Sequence, residues 1–132
     1  MKKTYIFLFI IFMFIVSCAN KITSPSEIIG DIKYYNPSIA ETKTYNYYKN
    51  DGQTGEYLVY RDKFKKLAES KNAIIYVEES QIDKSITKEV ILNFIKEYDS
   101  NVNKEIEIYG EIPDFDGNGK VIFLMADLNT NK

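Results

Sequence analysis

Ala73-Ile74-Ile75-Tyr76-Val77 and Val121-Ile122-Phe123-Leu124-Met125-Ala126 are the two continuous apolar runs that decide the fold. Each has strand length and neither alternates, which is the pattern of a strand covered on both faces of a sheet. Between them Ile86, Val90, Ile91, Phe94, Ile95 and Tyr98 recur at helical spacing. Asp83 or Ser85 stands near the start of that segment, and Lys88, Glu89, Lys96 and Glu97 take its outer face. Strand, amphipathic helix, strand predicts a parallel βαβ crossover. The expected class is therefore mixed α/β: a small sheet with one or two amphipathic helices.

Upstream, Thr44–Tyr48 and Glu56–Arg61 read as strands of a hairpin, separated by Asn50-Asp51-Gly52 and Gly55. From Asp62 to Ser70, Phe64, Leu67 and Ala68 fall at helical spacing, with Asp62 available as a cap, and predict a short helix. Glu105-Ile106-Glu107-Ile108 alternates as a half-exposed strand would. Residues 19–43 hold no sustained period, so Ala19 to about Ser26 reads as a tether and the following stretch as irregular. Tyr34, Tyr35, Tyr45, Tyr47 and Tyr48 invite two readings. One is an aromatic patch contacting a glycan or a protein partner; the other is strand residues covering a small sheet.

The amino terminus carries Lys2 and Lys3, then an apolar run from Tyr5 to Val16. Twelve helical residues reach about 18 Å against roughly 30 Å of hydrocarbon, so the run reads as an export signal, not a membrane span. Ile15-Val16-Ser17-Cys18 looks like a bacterial lipobox. In such a motif the cysteine thiol takes diacylglycerol and its new amino group an acyl chain such as palmitate, giving a stable anchor. The division that follows is signal 1–17, lipidated Cys18 and tether 18–43, and a small domain 44–132. The expected location is the outward or periplasmic face of a bacterial cell envelope. Cys18 is the sole cysteine, so a lipidated mature chain has no disulfide to draw on.

Composition removes whole classes of chemistry. The chain has 17 basic and 19 acidic residues, and losing Lys2 and Lys3 with the signal makes it more acidic still. With Arg61 as the single arginine, nucleic acid is an unsuitable partner. Histidine is absent, which eliminates a His-Glu-x-x-His zinc site, a Ser-His-Asp triad and a histidine base. Gly-x-Ser-x-Gly, P-loop and Gly-x-Gly-x-x-Gly motifs are also absent. Glu78 and Glu79 are adjacent at a strand end and point to opposite faces. Glu105 and Glu107 share a face of their expected strand, on its solvated side.

One motif could hold a cation. Asp114, Asp116 and Asn118 occupy positions 1, 3 and 5 of a calcium-type loop, the turn-forming Gly119 stands at position 6, and Lys120 offers its carbonyl at position 7. Position 12, where a bidentate glutamate belongs, is Met125, and Asp127 lies about 20 Å along a strand from Val121. Calcium at this loop would be weakly held. The alternative is a tight Asp/Asn/Gly turn feeding a buried strand.

Asn72–Glu79, the helix ending Lys96-Glu97-Tyr98-Asp99, and Asp114–Asp127 together resemble hyicolysin-type zinc metallopeptidases. The likeness covers roughly residues 44–128, and Asp-Gly-Asn-Gly-Lys-Val with its apolar strand is its most specific part. It implies the opening sheet of a zincin-like domain, the segment preceding the catalytic helix. No zinc ligand or catalytic glutamate can be carried over, because no position matches. The expectation is a membrane-anchored lipoprotein, a non-catalytic and truncated relative of these peptidases, with an incomplete sheet. The alternatives are an independent binding or adhesion lipoprotein, or a regulator of a full-length peptidase.

Overall fold

The structure, a computed structural model, describes residues 24–50 and 54–128. Cys18 and the Asp51-Gly52 turn lie outside the described residues. In chain order the elements are β1 (Glu27–Ile29), β2 (Ile32–Tyr34), β3 (Thr42–Asn50), β4 (Tyr57–Glu69), β5 (Ala73–Glu78), α1 (Lys88–Tyr109) and β6 (Val121–Met125). They make one mixed sheet in the order β1-β2-β4-β5-β6, with β3 also paired to β4. Every neighbouring pair is antiparallel except β5 and β6, which run parallel from Ala73↔Val121 to Val77↔Met125. The mixed α/β class and the βαβ unit are as the two apolar runs require.

β5 lies between β4 and β6, and α1 packs on one face of it. Ala73, Ile75 and Val77 join Leu67, Ala68, Ile91 and Ile95 in a core of fully buried side chains. On the opposite face of β5, Tyr76 and Glu78 are also buried, so the strand is covered on both sides. Phe123 of β6 sits edge-on to Phe94 and Tyr98 of α1, at 4.9 and 4.8 Å between ring centres. Asp99 ties the helix to the β4–β5 turn by accepting from Ser70 (3.0 Å) and from the Asn72 amide (2.9 Å).

Three expectations are corrected. Residues 62–70 are not a helix: 62–69 are the second half of β4 and Ser70 follows it. Phe64 and Leu67 point to opposite faces, as odd spacing in a strand demands. The register then shifts between Lys66 and Ala68, a bulge that lets Leu67 and Ala68 both enter the core. Two faces and a bulge imitate helical spacing here.

Glu105–Ile108 is not a strand but the last turns of α1. Ile95, Tyr98, Val102 and Ile106 continue the inward stripe at steps of three and four, and the alternation of Glu and Ile is incidental to it. The helix starts from Thr87, whose hydroxyl accepts from the Val90 N–H, and ends at Gly110, where φ is +89°. Asp83 and Ser85 therefore precede it without capping it.

Residues 27–34 and 42–43 fall in strands or the turn between them, while 35–41 belong to no regular element, as expected. β1 and β2 form a three-residue hairpin, and Ile32, Tyr34, Tyr35 and Ala40 are buried in the core. Strands this short leave no readable period, which hid them. The ordered sheet begins at Glu27, not near Thr44.

Ile95 is fully buried whereas Ile108 is 71% exposed. Ile95→Ala should lower the unfolding free energy by about 2–5 kcal/mol in a urea titration. Ile108→Ala should stay within about 0.5 kcal/mol of the parent. Equal losses at the two positions would mean that α1 buries a different face.

Candidate functional site

The β3–β4 register sets Tyr45 opposite Asp62, Tyr47 opposite Tyr60 and Lys43 opposite Phe64. Strand alternation puts these residues on the face away from α1. Tyr45 meets Phe64 and Tyr76 edge-on at 5.7 and 5.4 Å, and Tyr47 meets Phe64 at 5.6 Å. Phe64 and Tyr76 are thus buried by rings from β3. Lys49 lies over Tyr47 and Tyr60 (5.3 and 4.9 Å), and Lys43 over Tyr76 (5.4 Å), so cations rim the aromatic face.

The Tyr47 hydroxyl donates to Asp62 Oδ2 at 2.7 Å and approaches Glu78 Oε2 at 3.5 Å. Burial first, then the Asp62 bond and the two carboxylate charges, push its pKa above the ordinary 10.0. It remains a protonated donor. Beside it, Thr44, Arg61, Asp62, Lys63, Glu78 and Ser80 line an open cleft of about 540 Å³. That cleft mixes both signs of charge, and within it the Ser80 hydroxyl donates to Glu78 Oε1 at 2.5 Å.

β4 is thirteen residues long and β5 only six. The β5 ladder stops at Phe64↔Glu78, so residues 57–63 of β4 pair with β3 alone. This end of the hairpin is a two-stranded arm. Tyr57 (71% exposed), Tyr48, Val59 and Leu58 are its exposed apolar residues. Tyr48 and Val59 face each other across the ladder, and a cross-strand apolar pair left in water is unusual enough to mark a contact surface.

At the other end of β4, Glu69 gathers Lys66 (2.6 Å), Lys120 and the Tyr35 hydroxyl (2.9 Å). Burial would raise its pKa, but the hydrogen bonds from Lys120, Lys66 and Tyr35 outweigh that and bring it down from 4.5 to about 2. Tyr35 is correspondingly pushed up to about 12, by burial and by its bond to Glu69. The cluster fastens the start of β6 to β4.

The expected calcium-type residues do come together in the loop before β6. Asp114 accepts from the Gly119 N–H (2.8 Å) and the Asn118 N–H (3.2 Å). Asn118 donates its amide to Asp116 (2.6 Å) and accepts from the Lys120 N–H (2.7 Å). Gly117 and Gly119 take positive φ of +68° and +70°, where a Cβ would be strained. The Gly119 N–H chiefly holds the Asp114 carboxyl below its ordinary 3.8. Both Asp114 oxygens are thus engaged by the loop's own backbone. Among the described residues no group of three or more His, Cys, Asp or Glu is arranged to hold a metal.

Other expected positions disperse. Tyr34 and Tyr35 are core residues, Tyr45 and Tyr47 lie on the aromatic face, and Tyr48 turns to the opposite face of the arm. Glu105 and Glu107 share no face, because two residues along a helix are about 200° apart. Tyr57, Leu58 and Val59 carry no local sequence pattern that marks them as surface residues. The one available signal was the length mismatch between the hairpin and the Ala73–Val77 run. No protein-family model matches the chain, and no curated protein matches it.

The depressed Glu69 carboxyl stabilises the fold fully above its ordinary value of 4.5, and that contribution is lost as pH falls toward about 2. Thermal melts between these pH values should therefore decline in the parent. They should decline less steeply in Glu69→Gln, which has no proton to take up. Identical slopes would show that Glu69 titrates alike in the folded and unfolded chain.

Proposed function

We propose that this chain is an exported lipoprotein, anchored through diacylglycerol and acyl chains on Cys18, that presents the β3–β4 arm to a protein partner in the cell envelope. The observation that carries the reading is the placement of the arm. Ser26 bonds to Tyr34, which pairs with Ala68 at one end of β4. Tyr57 lies eleven residues away along that strand, about 36 Å by strand rise. The residues between Cys18 and Ser26 span at most about 29 Å even when fully extended. The described chain thus begins at the end of the sheet away from Tyr57, and an anchor eight residues before Ser26 could not reach that far. Tyrosine suits such a role because it offers a large stiff surface with a polar tip.

A second reading is favoured by a different observation. Parallel β5 and β6, joined through α1 and the Asp114–Lys120 loop, follow the order that the likeness to hyicolysin-type peptidases implies ahead of their catalytic helix. In that reading the chain is a non-catalytic relative, or a regulator, of such a peptidase. Chelator-sensitive cleavage of casein by the purified chain would sink it.

Anchoring is checked by feeding cells labelled palmitate: the parent should incorporate label and partition with membranes, and Cys18→Ala should do neither. For the arm, a photo-activatable residue at Tyr57 in intact cells should form an adduct with an envelope protein. Tyr48→Ser with Val59→Ser should suppress that adduct. A pattern indistinguishable from the same probe at exposed Glu107 would end the proposal.

A further inference from the structure

The arm has an open edge. Residues 57–63 of β4 pair with β3 on one side, and their other side has no strand partner among the described residues. β5 ends at Glu78, where the chain leaves in a 3-10 turn at Glu79–Gln81. About 23 Å of β4, by strand rise, thus turns its backbone groups to open space. The cleft of about 540 Å³ is lined by Arg61, Asp62 and Lys63 on β4 and by Glu78, Glu79 and Ser80 at the end of β5. It lies where a longer β5 would run.

Charge in this cleft is unevenly settled. Asp62 accepts from the Tyr47 hydroxyl at 2.7 Å, Glu78 accepts from Ser80, and Glu79 pairs with Lys65 at 3.2 Å. Arg61 and Lys63 make no ion pair or side-chain hydrogen bond with a described residue. They stand two apart in the strand, so they share one face, where both are exposed beside the neutral Asn46 and Thr44 of β3. Asp62 lies on the other face. Cations on an edge discourage indiscriminate pairing, and they admit a strand that brings the opposite charge to their face.

We propose that an extended segment of the partner adds to β4 as a further strand in this cleft, with acidic side chains two positions apart over Arg61 and Lys63. Main-chain hydrogen bonds attach the segment, and the two cations choose its sequence. Val59 and Tyr57, exposed farther along the same face, meet apolar residues beyond the acids. This inference rests on the arm being the partner surface and states what that partner presents.

A displayed library of random nonapeptides, selected on the full parent chain in detergent, should return sequences with Asp or Glu at two positions two apart. Arg61→Glu with Lys63→Glu should return Lys or Arg there instead. Both side chains are exposed, and an unchanged urea midpoint checks that the fold is kept. No enrichment, or the same enrichment from parent and variant, overturns the proposal. Strand addition has its own readout in the tightest selected peptide. Methylating the alternate backbone nitrogens that face β4 should weaken binding about ten-fold, while methylating the intervening set should leave it within about two-fold. Equal effects of the two sets overturn the added strand. A parent that dimerises in detergent, and loses the dimer in the double variant, gives the edge to a second copy and overturns it too. Peptides selected as expected, with no Tyr57 adduct in cells, would end the arm reading alone and leave the preference of the edge standing.

Discussion

The requirement that β5 be enclosed on both faces and both edges governs the rest of the molecule. Its edges are satisfied by β4 and β6, and its faces by α1 and by tyrosines from β3. A strand of Ala, Ile, Ile, Tyr and Val left open on any side would expose apolar surface or unpaired backbone, at a cost comparable with the whole stability of a small domain. The Lys66–Ala68 bulge serves the same end. It turns Leu67 and Ala68 together toward α1, so the helix meets a filled surface beside β5.

The two faces are covered by different means. One helix closes the first, with Ile91 and Ile95 buried against β4 and β5. The second has no helix among the described residues and is roofed by Tyr45 and Tyr47 reaching over Phe64 and Tyr76. A tyrosine roof needs its polar tips satisfied, and Asp62 takes that of Tyr47 while Glu41 takes that of Tyr76. The carboxylates near this face thus have a structural occupation. What is left without one is the apolar surface at the arm, where β4 outruns β5.

The central unit was legible because its signals are redundant. Ala73–Val77 and Val121–Met125 are continuous and of strand length, and the intervening stripe at Val90, Ile91, Phe94 and Ile95 fits no other period. Elsewhere single signals misled. Phe64, Leu67 and Ala68 look helical only because a bulge breaks the strand period. Glu105–Ile108 looks like a strand only when detached from Tyr98 and Val102. Ile32 and Tyr34 do alternate inward, but two residues make no pattern. Of the site, the Asp114–Lys120 turn was readable from composition. The arm was not, since its exposure follows from where β5 ends and from nothing within residues 48–59 themselves.

The length of α1 accounts for the remaining surface. Its twenty-two residues span about 33 Å, whereas the six residues of β5 span about 20 Å. A helix packed along that strand must overrun it, and the overrun carries Ile108 and Tyr109 into solvent. The chain then has to come back to begin β6 level with Ala73. Residues 110–120 make that return, turning at Gly117 and Gly119 and braced by Asp114. Between the overhang and the returning loop opens a hollow of about 280 Å³, lined by Tyr98, Val102, Ile106, Ile112 and Val121 among others. The resemblance of this loop to a calcium site and the hollow beside it thus share one mechanical origin: the strand after the helix must start where the strand before it did.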